Sequence, residues 1–246
     1  MGSAVRVVLT GASDGFAGLS YALAGAGYAV IEQPLLSFTQ PEDWSAFDGA
    51  LAVIDTFRAV AVTSPRAAEA LAARLPRKPC RVPVWTSGER SGSVLAQCFS
   101  TIHVVHGQGE GAAESVAAAI LHAGIGGPVL FPCGSARRET LPQRLEAGGI
   151  RVQAEVCYHT VLESAEAARA ALRAGEILVV TSPSVARLLA SVRGDTTRPS
   201  LLAVGPTTAA ELVHSGWPPD AVAEWTTTPG ILDALSQLFR GERADA

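Results

Sequence analysis

Two segments of the chain read almost alike, "AVAVTSPRAAEAL" at residues 59–71 and "ILVVTSPSVARLL" at residues 177–189. Each is an apolar run that ends in Thr-Ser-Pro and gives way to helical periodicity. The likeness continues downstream, where "VWTSGERSGSVLAQ" follows the first copy and "LLAVGPTTAAELVHSG" the second. Positions 63 and 88 lie 25 residues apart, and positions 181 and 205 lie 24 apart. Then come "IHVVHGQGEGAAESVAAAIL" and "AVAEWTTTPGILDALSQLF", each a strand, a loop and a helix. A chain that repeats its elements in this way folds as two similar halves built from βα units.

Each copy also needs a fourth unit. The first finds it downstream in "VLFPCGSARRETLPQRLEAGGIRV", and the second finds it at the start of the chain in "VVLTGASDGFAGLSYALAGAGYAV". Both read strand, Gly turn, helix, Gly C-cap, strand. Strands are expected at 5–10, 28–34, 59–63, 82–86, 102–105, 128–132, 150–157, 177–181, 200–204 and 222–225. The fold class is α/β, with two similar parallel-sheet domains, one inserted into the other and joined by a two-stranded linker. Domain A takes 1–35 plus 162–246, domain B takes 40–155, and the linker strands are 34–40 and 155–162. A chain that crosses twice makes a paired hinge. Ligands of parallel α/β sheets bind beyond the carboxyl ends of the strands. With those ends facing one another, the two Thr-Ser-Pro turns flank one interdomain cleft.

Composition narrows the function. Of 246 residues, 48% are hydrophobic and 17% charged, which favours a packed core over disorder. The net charge of −4 argues against a nucleic-acid binder driven by bulk charge, while allowing a local anion site. No apolar stretch approaches the roughly 20 residues of a membrane span, and the first residues carry neither a signal-peptide core nor a myristoylation pattern. Cys80, Cys98, Cys133 and Cys157 form no CxxC pair, and the histidines do not cluster with them. The expectation is a cytoplasmic monomer without disulfides or metal.

The turns carry the candidate chemistry. Ser64 and Ser182 stand where helix N-caps belong, with Pro65 and Pro183 at the first helical position. Such ends also attract anions through unpaired N–H groups and the helix dipole. Thr208 and Glu211 have the spacing of a capping box, which leaves Thr207 free to point into a cleft. Ser87, Ser91 and Ser93 surround Gly88 in the matching turn. Arg137 and Arg138 lie at a helix start, where cations oppose the dipole; they are either a solvated face or an anion site. "GQGEG" at 107–111 is a weak nucleotide signal. Nucleophile, base and acid do not assemble into a set. Tyr158 stands at a domain crossing, as either a packing aromatic or a phenol that reaches the cleft.

Taken together, "QPLLSF", "VTSPRAAEAL", "LFPCGSARRETLPQRLEAGGI", "VCYHT", "VVTSPSVARLL" and "LLAVGPTTAAEL" resemble the uroporphyrinogen-III synthase family over almost the whole chain. The resemblance implies two α/β domains on a two-stranded ladder. It also implies a cofactor-free lyase that closes hydroxymethylbilane into a macrocycle, losing water and inverting ring D. That substrate carries eight carboxylates, which suits helix N-termini, hydroxyls and arginines. Its hydroxyl leaves with help from the pyrrole's own electrons, so positioning supplies much of the rate. Tyr158 matches the family tyrosine proposed as the acid. Thr63, Ser64, Ser91, Arg137, Arg138, Thr181, Ser182, Thr207 and Thr208 are the expected substrate-binding residues.

Three positions depart from the family pattern. Gly11 stands where an arginine often follows the first strand, Glu89 adds a negative charge beside Gly88, and His159 replaces the arginine after the hinge tyrosine. Two other readings follow: a synthase-like domain that binds a tetrapyrrole without turning it over, or a hinged two-domain binding protein for small molecules.

Overall fold

The structure, a computed structural model, describes residues 4–76, 79–106, 111–194, 198–223 and 227–242. Strands and helices alternate along the chain. The first part runs β1 (Arg6–Leu9), α1 (Ala17–Gly25), β2 (Ala29–Glu32), β3 (Leu36–Thr39), α2 (Ser45–Ala52), β4 (Ala59–Val62) and α3 (Pro65–Arg74). Next come β5 (Val84–Ser87), α4 (Glu89–Leu95), β6 (Ile102–Val105), α5 (Ala112–His122), β7 (Val129–Gly134) and α6 (Thr140–Ala147). The chain continues with β8 (Val152–Leu162), α7 (Ala165–Ala174), β9 (Ile177–Val180), α8 (Pro183–Ser191), β10 (Ser200–Val204), α9 (Pro206–His214), β11 (Ala221–Ala223) and α10 (Thr228–Glu242). Positions 224 and 225 of the last expected strand, and 107–110 of the glycine-rich loop, lie outside the described residues.

The chain divides into two compact units, Met1–Ser37 with Val161–Ala246, and Phe38–Thr160. The first unit holds a sheet in the order β2-β1-β9-β10-β11, and every neighbouring pair is parallel. The second holds β3-β8-β7-β4-β5-β6, parallel from β8 to β6. Apart from β3, the two orders superimpose with β8 standing for β2 and β7 for β1. This is the permuted repeat expected from the sequence.

Each sheet is covered on both faces, which is why its strands are nearly unbroken apolar runs. In β4, Val60 and Val62 pack with Phe47, Leu71 and Leu130, while Ala59 and Ala61 pack with Trp85, Val116, Phe131 and Leu141. Strand alternation thus sends one set toward α2 and α3 and the other toward α5 and α6. In the first unit Val7, Leu9, Val179 and Leu202 pack against Leu23 and Leu235.

The repeated turns keep the same backbone. Ser64 is extended (φ −143°, ψ 146°) and its Oγ accepts from Ala67 N–H at 3.2 Å. Ser182 is extended too (φ −153°, ψ 154°) and accepts from Val185 N–H at 3.3 Å. Gly88 and Gly205 both start helices with positive φ, 80° and 85°, a conformation that favours glycine. The expected capping box at Thr208 and Glu211 does not form. Gly205 caps α9, Thr208 is 3% exposed inside the helix, and Glu211 instead accepts from Arg187 at 2.6 Å.

Candidate active site

In an open parallel sheet the place for a ligand is where the strand order reverses. In the second unit that point lies between β4 and β7. Thr63 and Ser64 follow β4, and Gly134 ends β7. The third participant comes from β8. Along β7 and β8 the register runs Cys133 opposite Val156, then Gly134 opposite Tyr158, so Cys157 is an extra residue. Such a bulge re-aims the side chains beyond it. Here Tyr158 lies across Gly134. A Cβ built on Gly134 would meet the Tyr158 ring at 2.5 Å and its Oη at 2.8 Å, so only glycine leaves this seat open.

From this seat the phenol reaches the start of α3. Tyr158 Oη donates to Ser64 Oγ at 3.2 Å, the same oxygen that caps the helix. Phe38 holds the ring from the side, edge to face, with centroids 5.7 Å apart. The Arg66 guanidinium lies 3.6 Å above the Phe38 ring. Burial pushes the Tyr158 phenol above its ordinary value, while the Ser64 hydrogen bond and the Arg66 charge pull it down more weakly. The group is a neutral proton donor at the positive end of a helix.

Among the described residues, no such phenol stands at the first unit's own reversal point, between β1 and β9. Thr10 is buried and its Oγ1 donates to Val179 O at 2.7 Å. A Cβ on Gly11 would stand 2.9 Å from Thr181 Oγ1 and 3.3 Å from Phe16 Cε1. A side chain at position 11 would require Thr181 or Phe16 to give way.

The remaining candidates divide. Thr63, Thr181 and Ser182 are half-buried at strand-end turns, and Thr207 is half-buried in the first turn of α9. Ser91, at 1% exposure, and Thr208 present almost no surface to a ligand, which suits helix packing. Arg137 and Arg138 precede α6 and are ion-paired, with Glu139 and Glu114 respectively, each at 3.2 Å. Glu89 Oε1 lies 3.3 Å from His106 Nε2. Cys133 and Cys157 are buried thiols pushed up to about 11 and about 12, which makes them poor nucleophiles. The sequence reading missed Gly134, Phe38 and Arg66. A signal for the last was present: the two copies read Thr-Ser-Pro-Arg and Thr-Ser-Pro-Ser, so only the second unit places an arginine in this turn.

A sequence profile of the uroporphyrinogen-III synthase HemD family matches residues 18–233. The chain belongs to that family. Uroporphyrinogen-III synthases are hydroxymethylbilane-cyclising lyases of tetrapyrrole biosynthesis. The fold is also similar to that of a mutant uroporphyrinogen III synthase from Thermus thermophilus (TM-score 0.64, 17% identity, 97% of this chain and 100% of that one). The synthase from Helicobacter pylori is similar at a TM-score of 0.60 and 19% identity, over 95% of this chain and 99% of that one. A comparison with curated proteins returned no match.

Proposed function

We propose that this synthase closes hydroxymethylbilane with loss of water and inversion of ring D, and that Tyr158 is its acid. The C–O bond of the hydroxymethyl group breaks as the pyrrole nitrogen's electron pair moves out to the exocyclic carbon. The Tyr158 proton passes to the departing hydroxyl, which leaves as water. The phenolate left behind is balanced by the azafulvenium cation, the N-terminus of α3 and the charge of Arg66. The substituted α-carbon of ring D attacks the exocyclic carbon. Its bond to the neighbouring methylene breaks and re-forms at that ring's free α-carbon, which inverts the ring. The proton lost from that carbon returns to the phenolate. One positioned acid of this kind contributes roughly 10²-fold or more to rate.

The single observation that supports this role is the hydrogen bond from Tyr158 Oη to Ser64 Oγ, at a helix start and at a reversal of strand order. Thr63, Thr181, Ser182 and Thr207 are proposed to contact substrate carboxylates through hydroxyls and neighbouring backbone N–H groups. Arg137 and Arg138 are proposed for the same task, each exchanging its present carboxylate partner for one on the substrate. Ser91 and Thr208 act through the helices they pack in. The enzyme works as a cytoplasmic monomer and feeds haem, sirohaem or cobalamin formation. The test is to supply freshly generated hydroxymethylbilane and separate the isomers. The type III macrocycle is expected; type I alone, the product of spontaneous closure, would overturn the reading.

A further inference from the structure

Strand β8 changes face along its length. Val152 and Ala154 lie on the side of α5 and α6, with Leu141 and Leu145. Simple alternation would send Tyr158, an even number of residues beyond Ala154, to that same side. It packs instead against the opposite cluster, with Cys157, Val60 and Leu71, and there it reaches Ser64. The extra residue at Cys157 makes the difference. The presence of the phenol at the start of α3 is therefore a consequence of register.

The slip can be followed in the main chain. Before the bulge, Val129 N–H donates to Arg151 O, 22 positions on, at 2.9 Å. After it, Ser135 N–H donates to Tyr158 O, 23 positions on, at 2.9 Å. The near side is held inside the sheet. Cys157 Sγ donates to Cys133 O and Cys133 Sγ to Glu155 O, both at 3.4 Å, and both thiols are buried. On the far side this edge of β8 runs past its partner. Strand β7 ends at Gly134 and the chain turns, with Arg137 N–H donating to Gly134 O at 3.1 Å. Ser135 bridges the gap. In a continuing parallel ladder its carbonyl would accept from Thr160 N–H. Here its side chain does so, with Oγ accepting at 3.3 Å. One exposed residue thus holds β8 on both sides of His159.

We propose that Ser135 is a positioning residue for Tyr158. It locks the shifted register of β8 from beyond the end of β7, and so keeps the phenol on the α3 side of the sheet. It acts through the backbone of residues 158–160. The consequence for turnover rests on the functional reading above, because it needs Tyr158 to be the acid. The consequence for the place of the ring does not.

Ser135→Ala removes the Oγ alone, and Ser135→Thr keeps it. The place of the ring is read from second-derivative tyrosine absorbance, with Tyr158→Phe identifying the Tyr158 component. Ser135→Ala should shift that component toward that of an exposed tyrosine. Ser135→Thr should leave it at wild type, with circular dichroism unchanged in both. With freshly generated hydroxymethylbilane, Ser135→Ala should lower kcat for type III product about three- to tenfold, the worth of one hydrogen bond. Product affinity should stay near wild type. The rate loss should disappear in a Tyr158→Phe background, because a register lock acts on rate only through the phenol. An unmoved tyrosine component in folded Ser135→Ala, or an equal rate loss with and without the phenol, would overturn the proposal. A moved component together with wild-type kcat in Tyr158→Phe would overturn Tyr158 as the acid and leave the positioning standing, so the two failures are distinguishable.

Discussion

Tyr158 and Ser64 lie 94 positions apart in the chain and meet at 3.2 Å, phenol to hydroxyl. The relationship joins strand β8 to the start of helix α3. It also loads one oxygen with two tasks, because Ser64 Oγ caps α3 while it accepts from Tyr158. Ser182 performs only the first of these at the equivalent turn.

That asymmetry gives an internally controlled experiment. Ser64→Ala and Ser182→Ala each remove one N-cap and should each lower stability by about 1 kcal/mol. Only Ser64→Ala also frees the phenol, so it should lower kcat several-fold more than Ser182→Ala does. Thermal melts and steady-state rates on the pair check this. Equal rate losses would mean that capping alone explains both serines.

Gly134→Ala should move the Tyr158 ring off its seat. The added methyl would stand 2.5 Å from ring carbons that have Phe38 on their other flank. Overpacking of this kind costs roughly 1–3 kcal/mol, and turnover should fall with it. Tyrosine absorbance and kcat measured together test the coupling. Full activity in a folded Gly134→Ala protein would show that the ring needs no fixed seat.

Much of this arrangement is legible in the sequence. The two Thr-Ser-Pro turns announce both serine caps, and the spacing to Gly88 and Gly205 announces both glycine starts, because these are local requirements of the backbone. The permuted order of the units also follows, since each βα unit carries its own hydrophobic period. The seat of Tyr158 is not legible. It depends on a register shift between β7 and β8, and register is set by pairing across the sheet. Thr208 misled for a related reason: Thr-x-x-Glu spacing recurs inside helices, and only the position of Gly205 decides where α9 begins. Ser91 reads as an exposed turn hydroxyl, yet tertiary packing buries it.

The pH dependence follows from the direction of the Tyr158 shift. Burial raises the phenol above 10, so the folded protein holds the proton to higher pH than a free tyrosine does. The donor form is complete at neutral pH and is lost as pH rises through that raised value. No Tyr158-dependent limb of kcat is therefore expected below about pH 10, and folding stability should weaken above it. A limb near neutrality that vanishes in Tyr158→Phe would contradict the assignment.

Thr63 and Thr181 precede the caps and so probe binding without disturbing capping. Thr63→Val and Thr181→Val should each weaken product affinity by about 0.5–1.5 kcal/mol, more if the partner is charged. Melting temperatures should stay near wild type, and the double variant should be roughly additive. Titration with the reduced macrocycle measures this. Loss in one variant only would confine carboxylate contacts at these turns to a single unit.

The most direct test of the central claim is kcat for type III product in Tyr158→Phe, measured beside product affinity in the same variant. Removing a group that acts only while the hydroxyl departs should lower kcat by about 10²-fold and leave product affinity near wild type. Unchanged kcat in a folded Tyr158→Phe protein would contradict the account and leave the ring as packing against Gly134 and Phe38.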